Sequence, residues 1–217
     1  MNVVEKINEL LNIKESYKAP DRIMKILYDK VEREKVFMRF IRELNSDVSF
    51  DWFHEYFEDE QADRKNKKQD FTPQCLSELV SRLVGNNANT IYEPTAGTGG
   101  LIISKWNDIR INDGPFKYEP NNYLFLCEDL SDRSIPFLLF NLIIRGMNAI
   151  VIHGDVLTRE CYGIFFIQNP TNDYMNFSNF NVMPYTKEVE DYFKVKFVEK
   201  RYKEHVENDK TLIHSYF

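Results

Sequence analysis

The sequence predicts an α/β fold with a mostly parallel sheet buried on both faces, preceded by an N-terminal helical segment. Three observations predict it. From Thr90 onward, short apolar runs alternate with helical patterns, as in successive βαβ units. The stretch NTIYEPTAGTGGLIISKW (Asn89–Trp106) passes from a strand through three glycines into an apolar helix, the first turn of a doubly wound sheet. Before Asp59 the apolar positions recur at helical spacing only.

Residues 2–12 carry charges within their apolar pattern and read as an amphipathic helix, not a signal peptide. Residues 20–44 repeat the pattern. Ile23, Ile26, Leu27, Val31, Phe37, Phe40, Ile41 and Leu44 form one stripe, with Pro20 and Asp21 as a helix start. Phe50, Phe53, His54 and Phe57 mark a third, aromatic-rich helix. Asp59–Asp70 holds no apolar residue but Ala62, so it reads as a solvated linker or loop. It sets a boundary between residues 1–62 and 63–217. Thr72 and Pro73 read as N-cap and first residue of a helix bearing Leu76, Leu79, Val80, Leu83 and Val84 on one face; Gly85 stops it. Strands follow at Thr90–Glu93, Tyr123–Cys127, Ala149–Ile152 and Gly163–Ile167, with helices at Gly99–Trp106 and Asp132–Arg145. Asn107–Asn122 reads as a polar loop or insertion. The tail, Thr186–Glu207, is one charged amphipathic helix or a helix enclosing a short strand around Val195–Val198.

The 217 residues suffice for one sizeable core, and no apolar run reaches membrane-spanning length. Cys75, Cys127 and Cys161 are scattered, without paired spacing or a nearby histidine. That argues for free thiols in a cytoplasmic protein, against a disulfide frame or a zinc site. The net charge is −6, and the one dense basic cluster is RKNKK, Arg64–Lys68. Proteins that hold DNA tightly by themselves show a basic face, so any DNA binding here is weak, local or helped by a partner. His54, His153, His205 and His214 form no catalytic constellation, and no metal is called for.

A glycine-rich turn after the first strand lets a ligand press against bare backbone. No Gly-Lys-Ser/Thr follows, so it is not a phosphate-binding P-loop, and Ala96-Gly97-Thr98-Gly99-Gly100 does not have the dinucleotide spacing. Glu93 ends the strand at the mouth of the turn, which suits a ligand bearing an ammonium or sulfonium better than a pyrophosphate. Glu128 ends the second strand, where an acid accepts ribose hydroxyls. Asp155 follows the third strand, and Gln168-Asn169-Pro170 ends the fourth. Each has a bland alternative, a tight turn or a solvated carboxylate. Four consecutive polar tips on one edge point instead to a nucleoside-type cofactor.

FTPQCLSELVSRLV, EPTAGTGG, LCEDLSD, FNLIIRGMN, HGDVL and QNP follow one another along the chain. In that order and spacing the chain resembles the adenine-N6 DNA methyltransferases, closest to the modification subunit of type I restriction–modification systems, over about Lys68–Pro170. The resemblance implies a Rossmann-like sheet that uses S-adenosylmethionine. It implies that Phe71, Thr72 and Pro73 cover the methionine end of that cofactor. Glu93, Pro94, Thr95 and the Ala96, Gly97, Thr98, Gly99 and Gly100 backbone would hold its amino-acid and sulfonium side. Glu128 would hold the ribose, and Asp155 would lie near the adenine ring of the cofactor or the target amine.

Members of that family end the fourth strand in Asn/Asp-Pro-Pro-aromatic. Its oxygens accept the amine hydrogens of a base rotated out of the helix, and its aromatic stacks on that base. Positioning and electrostatics then carry an in-line methyl transfer. Here the tetrad is Asn169-Pro170-Thr171-Asn172, so Asn169 and Pro170 are the catalytic candidates and Tyr174, two positions late, is the candidate stacking residue. A lost stacking platform weakens base binding by about 1–3 kcal/mol. The segment after Pro170 is too short for the rest of a full methyltransferase sheet, so the sheet is expected to be truncated, with an edge capped by the tail or another chain. Phe177, Phe180 and Tyr185 read as packing residues. Type I modification subunits borrow target recognition, so the resemblance also implies a specificity-type partner subunit or a homo-oligomer.

Two readings follow. One is an S-adenosylmethionine-dependent methyltransferase acting on the N6 amine of adenine in DNA. The other is a cofactor-binding protein with little or no turnover, acting as partner, decoy or regulator in a restriction–modification context. The acidic balance and the altered tetrad favour the second; the intact cofactor motifs favour the first. Methylation of RNA or of a protein glutamine is a third reading, disfavoured by the Phe-Thr-Pro segment.

Overall fold

The computed structural model describes residues 3–44, 46–60, 76–77, 79–80, 88–114 and 116–208. Helix α1 spans Val3–Leu11 and buries Ile7, Leu10 and Leu11. The stripe over residues 20–44 is two helices, α2 (Ala19–Tyr28) and α3 (Lys30–Glu43). Asp29 between them is extended, and its carboxylate accepts the Glu32 amide at 3.0 Å, so it ends one helix and caps the next. Helix α4 (His54–Glu60) follows the Asp51 carboxylate, which accepts the Phe53 amide at 2.9 Å.

Strands β1 (Thr90–Glu93), β2 (Leu124–Asp129), β3 (Ala149–Gly154), β4 (Glu160–Gln168) and β5 (Asn179–Val182) lie in that spatial order. Strand β6 (Lys196–Phe197) pairs with β4. Helices α5 (Gly100–Asp113), α6 (Ser134–Ile144) and α7 (Lys187–Phe193) are interleaved with the strands. β1–β2, β2–β3 and β4–β6 are parallel, while β3–β4 and β4–β5 are antiparallel. This is the mostly parallel α/β sheet that the alternation predicts, with one correction. The fourth strand does not run with the first three.

The cause is the length of the connection. Only Asp155–Arg159 separate β3 from β4, and a parallel crossover needs about a dozen residues or more. The turn closes locally. The Asp155 carboxylate accepts the Leu157 and Thr158 amides at 2.8 and 3.2 Å, and Arg159 adopts φ 62°. Gly154 is needed there, since a Cβ would stand 2.4 Å from the Glu160 carbonyl oxygen.

Other boundaries also move. The first half of Asn107–Asn122 is helix, because α5 continues to Asp113 and stops at Gly114, φ 91°. In the tail, α7 ends at Phe193 before Lys194 turns left-handed (φ 53°), and β6 follows. The tail is therefore a helix and then a short strand. β5 runs through Phe180, which packs as expected.

Strand periodicity sorts the sheet residues onto two faces. Phe125, Cys127, Ala149, Val151, Phe165 and Ile167 join one core with α1–α6, while Ile150, Ile152, Ile164 and Phe166 join a smaller one with Val189 of α7 and Val195. The N-terminal helices share the larger core. The Phe37 and Phe140 rings meet at 4.6 Å, and Phe53 and Phe137 at 4.8 Å. Each such buried ring contributes about 1.5–3 kcal/mol. The boundary placed at residues 62–63 lies outside the described residues, and no described helix is long and apolar enough to cross a membrane.

Candidate functional site

The parallel register of β1, β2 and β3 brings Glu93, the glycine loop, Glu128, Asp129 and Asp155 to one edge. Gly97 and Gly99 take φ of 56° and 102°, conformations that L side chains resist. The loop is stitched to the tip of β2. Ala96 N–H donates to the Glu128 carbonyl at 2.9 Å, and Gly97 N–H donates to Asp129 Oδ2 at 2.8 Å. Between the two glycines, Thr98 is buried. Its hydroxyl donates to Asp51 Oδ2 at 2.5 Å, and its carbonyl accepts from Asn141 Nδ2 at 2.8 Å. Thr98 therefore turns both polar groups inward.

Glu93 is half-buried. Its Oε1 accepts from the Thr95 amide and hydroxyl, both at a long 3.3 Å. Of the strand-tip acids it is the least committed. Glu128 is 4% exposed, and each of its oxygens holds a donor: Tyr92 Oη at 2.8 Å and Arg159 Nη1 at 2.7 Å. Period two explains the difference from its neighbour. Cys127 and Asp129 face the loop side, whereas Glu128 faces the other. Asp129 receives Gly97, the Ser131 amide (2.8 Å) and the Ser134 hydroxyl (2.6 Å). Asp155 stands at this edge, and the Leu157 and Thr158 amides hold its carboxyl below the usual carboxylate value.

The expectation that Asn169 and Pro170 join this edge is corrected by the antiparallel β4, which carries them to the opposite one. Asn169 is fully buried there. Its Nδ2 donates to the Gly146 and Asp173 carbonyls at 3.1 and 2.7 Å. Its Oδ1 accepts from the Thr171 hydroxyl at 3.1 Å and the Asp173 amide at 3.3 Å. Its backbone amide donates to Asn148 Oδ1 at 2.6 Å. These bonds fold residues 169–176 back on themselves, so the side chain braces a loop. Tyr174 packs, half-buried, against the large core on the same side.

Phe71, Thr72 and Pro73 lie outside the described residues. Ser77, a few residues on, is described and buried. Among the described residues its hydroxyl has no partner, and it lies 3.9 Å from where a Cβ on Gly100 would stand. A buried hydroxyl left unpaired beside a bare loop is a group that a ligand can satisfy. The chemistry of this edge fits S-adenosylmethionine in three respects: a weakly held carboxylate for its positive end, glycine backbone to lie on, and this Ser77 hydroxyl.

Sequence reasoning missed Asp129, Ser77, Asp51 and Asn141. Strand period identifies Asp129. Asp51 lies 47 residues before Thr98, and no local pattern links them. Arg145 completes the buried network beneath the loop, donating from Nη1 to Asn141 Oδ1 at 2.8 Å and from Nη2 to the Phe50 carbonyl at 2.6 Å. Burial lowers its guanidinium to about 9 and raises the Asp51 carboxyl.

A family model described as N-6 DNA Methylase matches residues 45–211, over three quarters of the chain. No curated protein matches the chain significantly.

Proposed function

The chain belongs to the N-6 DNA methylase family, and from that premise we propose that it binds S-adenosylmethionine over the glycine loop at the carboxyl edge of β1–β3. The family suggests methyl transfer to adenine in DNA. The cofactor supplies an electrophilic methyl group on a sulfonium. The observation that carries the proposal is the left-handed glycine pair beside Glu93, whose carboxylate is held only by two long 3.3 Å bonds from Thr95. In this reading Glu93 faces the positive charge of the ligand's amino-acid end. Ala96–Gly100 offer backbone with no side chain to displace, and the Ser77 hydroxyl gains a partner. The tip of β2 takes the ribose side: Asp129 fixes the loop, and Glu128, held on the other face by Tyr92 and Arg159, offers at the edge the lone pairs that those two donors leave free.

Whether the chain turns over adenine depends on Asn169. Its burial and saturation on the opposite edge favour the reading in which this chain binds cofactor without methylating adenine by itself. It then acts as a partner or regulator in a DNA-modification complex, with recognition supplied by a specificity-type subunit. The net charge of −6 is in keeping with borrowed DNA contacts. Turnover by the chain itself is the competing reading, supported by the family and the preserved loop.

The test is labelled methyl transfer from S-adenosylmethionine to unmethylated duplex DNA, with binding measured on the same preparation. Binding without transfer is the expected result. Transfer to adenine that survives Asn169→Ala would assign the chemistry to other residues, and transfer abolished in a folded variant that still binds the cofactor would restore Asn169 as a catalytic residue.

A further inference from the structure

Thr98 stands between the two left-handed glycines and is held from both ends, by Asp51 through its hydroxyl and by Asn141 through its carbonyl. Asp51 belongs to the N-terminal segment, not to the sheet. Its Oδ1 also accepts from Asn141 Nδ2 at 2.8 Å and from the Phe53 amide at 2.9 Å, so the buried carboxylate carries three donors. Arg145 locks the stretch that presents it. Its Nε donates to the Val48 carbonyl at 2.8 Å and its Nη2 to the Phe50 carbonyl, and its guanidinium lies 5.0 Å from the centroid of the Trp52 ring. Asp51, Thr98, Asn141 and Arg145 are all buried.

A loop with glycines at 97, 99 and 100 has no side chains there to hold its shape, and an unanchored loop loses more entropy when a ligand orders it. We propose that Asp51 is a positioning residue of the cofactor loop. It acts through Thr98, so the N-terminal segment shapes the surface on which S-adenosylmethionine lies. The affinity part rests on the cofactor reading above; the loop-ordering part does not.

Two readouts test it on the full chain: amide hydrogen exchange at Ala96–Gly100, and S-adenosylmethionine affinity by calorimetry. Thr98→Val removes the hydroxyl and leaves the Asp51 carboxylate short of a donor. Faster loop exchange and about a tenfold weaker affinity are expected. Thr98→Ser restores both, and Asp51→Asn serves if the valine variant does not fold. Glu207→Gln is the control. It breaks a buried pair with Arg33 beside β5, at the other end of the sheet from β1, and should lower thermal stability while leaving loop exchange and affinity unchanged. Unchanged exchange in Thr98→Val overturns the proposal, as does an equal loosening of the loop in Glu207→Gln. Faster loop exchange in Thr98→Val, in a chain that binds no S-adenosylmethionine at all, upholds the positioning role and overturns the cofactor reading.

Discussion

Gly97 and Asp129 are joined by a 2.8 Å hydrogen bond from the glycine amide to the carboxylate, which ties the loop after β1 to the tip of β2. The same carboxylate holds the Ser131 amide and the Ser134 hydroxyl at the start of α6. Asp129→Ala therefore loosens three connections at once. It is expected to cost about 1–3 kcal/mol of stability and to weaken S-adenosylmethionine binding by roughly tenfold. Thermal melts and calorimetry check both, and a variant with unaltered affinity would remove Asp129 from the site.

Asn169→Ala is expected to act on the fold. The side chain is buried and bonded through both of its polar atoms, so truncation leaves the Gly146 carbonyl without its donor and takes from the Asp173 carbonyl the shorter of its two. A loss of about 2–3 kcal/mol is expected, which lowers the melting temperature by roughly 2–4 °C for each kcal/mol. Cofactor affinity of the folded fraction should not change. A melting temperature equal to that of the unaltered chain would show that Asn169 is not the brace described.

Glu207 gives the stability a pH signature. Burial by itself raises its carboxyl, but hydrogen bonds and the charge of Arg33, at 2.7 and 2.8 Å, hold it below the usual value. A depressed folded pKa contributes stability above the unfolded value, about 4.3. That contribution is lost as pH falls through the folded value. The raised Asp51 carboxyl has the opposite sign, stabilising most at low pH and less as pH rises through its folded value. Glu207→Gln should cost about 3–5 kcal/mol near neutrality by stranding Arg33, and should flatten the acid limb of a stability–pH curve. Parallel curves for the two proteins would contradict the assignment.

Cys127 and Cys161 are buried, and desolvation pushes both thiols upward, Cys161 to about 12. Neither should react with a thiol reagent at pH 8 in the native chain, and both should react on unfolding. Rapid native labelling of either, located by mass spectrometry, would contradict the packing.

Much of this fold is legible in local pattern. β1 to β3, α6 and the glycine turn follow from periodicity and from where glycine and acids fall. The direction of β4 does not, because an apolar run such as Gly163–Ile167 looks the same in either sense. The clue lies in the five-residue Asp155–Arg159 connection, too short for a crossover. Asn169 shows the cost of missing it: a dipeptide that fits a catalytic motif is carried away from the cofactor edge by the strand before it. Glu128 and Asp129 are one residue apart, and only the pleat says which of them meets the loop. Asp51 had no signal at all, since its partner Thr98 is distant in the chain and the bond exists only once the helices pack on the sheet.

The most direct test of the central claim is calorimetric titration of the purified chain with S-adenosylmethionine, repeated with Glu93→Gln. One saturable site is expected, weakened by at least several-fold in the variant because the Glu93 carboxylate that it lacks faces the ligand's positive end. A folded chain that releases no heat and gains no thermal stability from the ligand would mean that the glycine loop is a structural turn and that the cofactor site proposed for this chain does not exist.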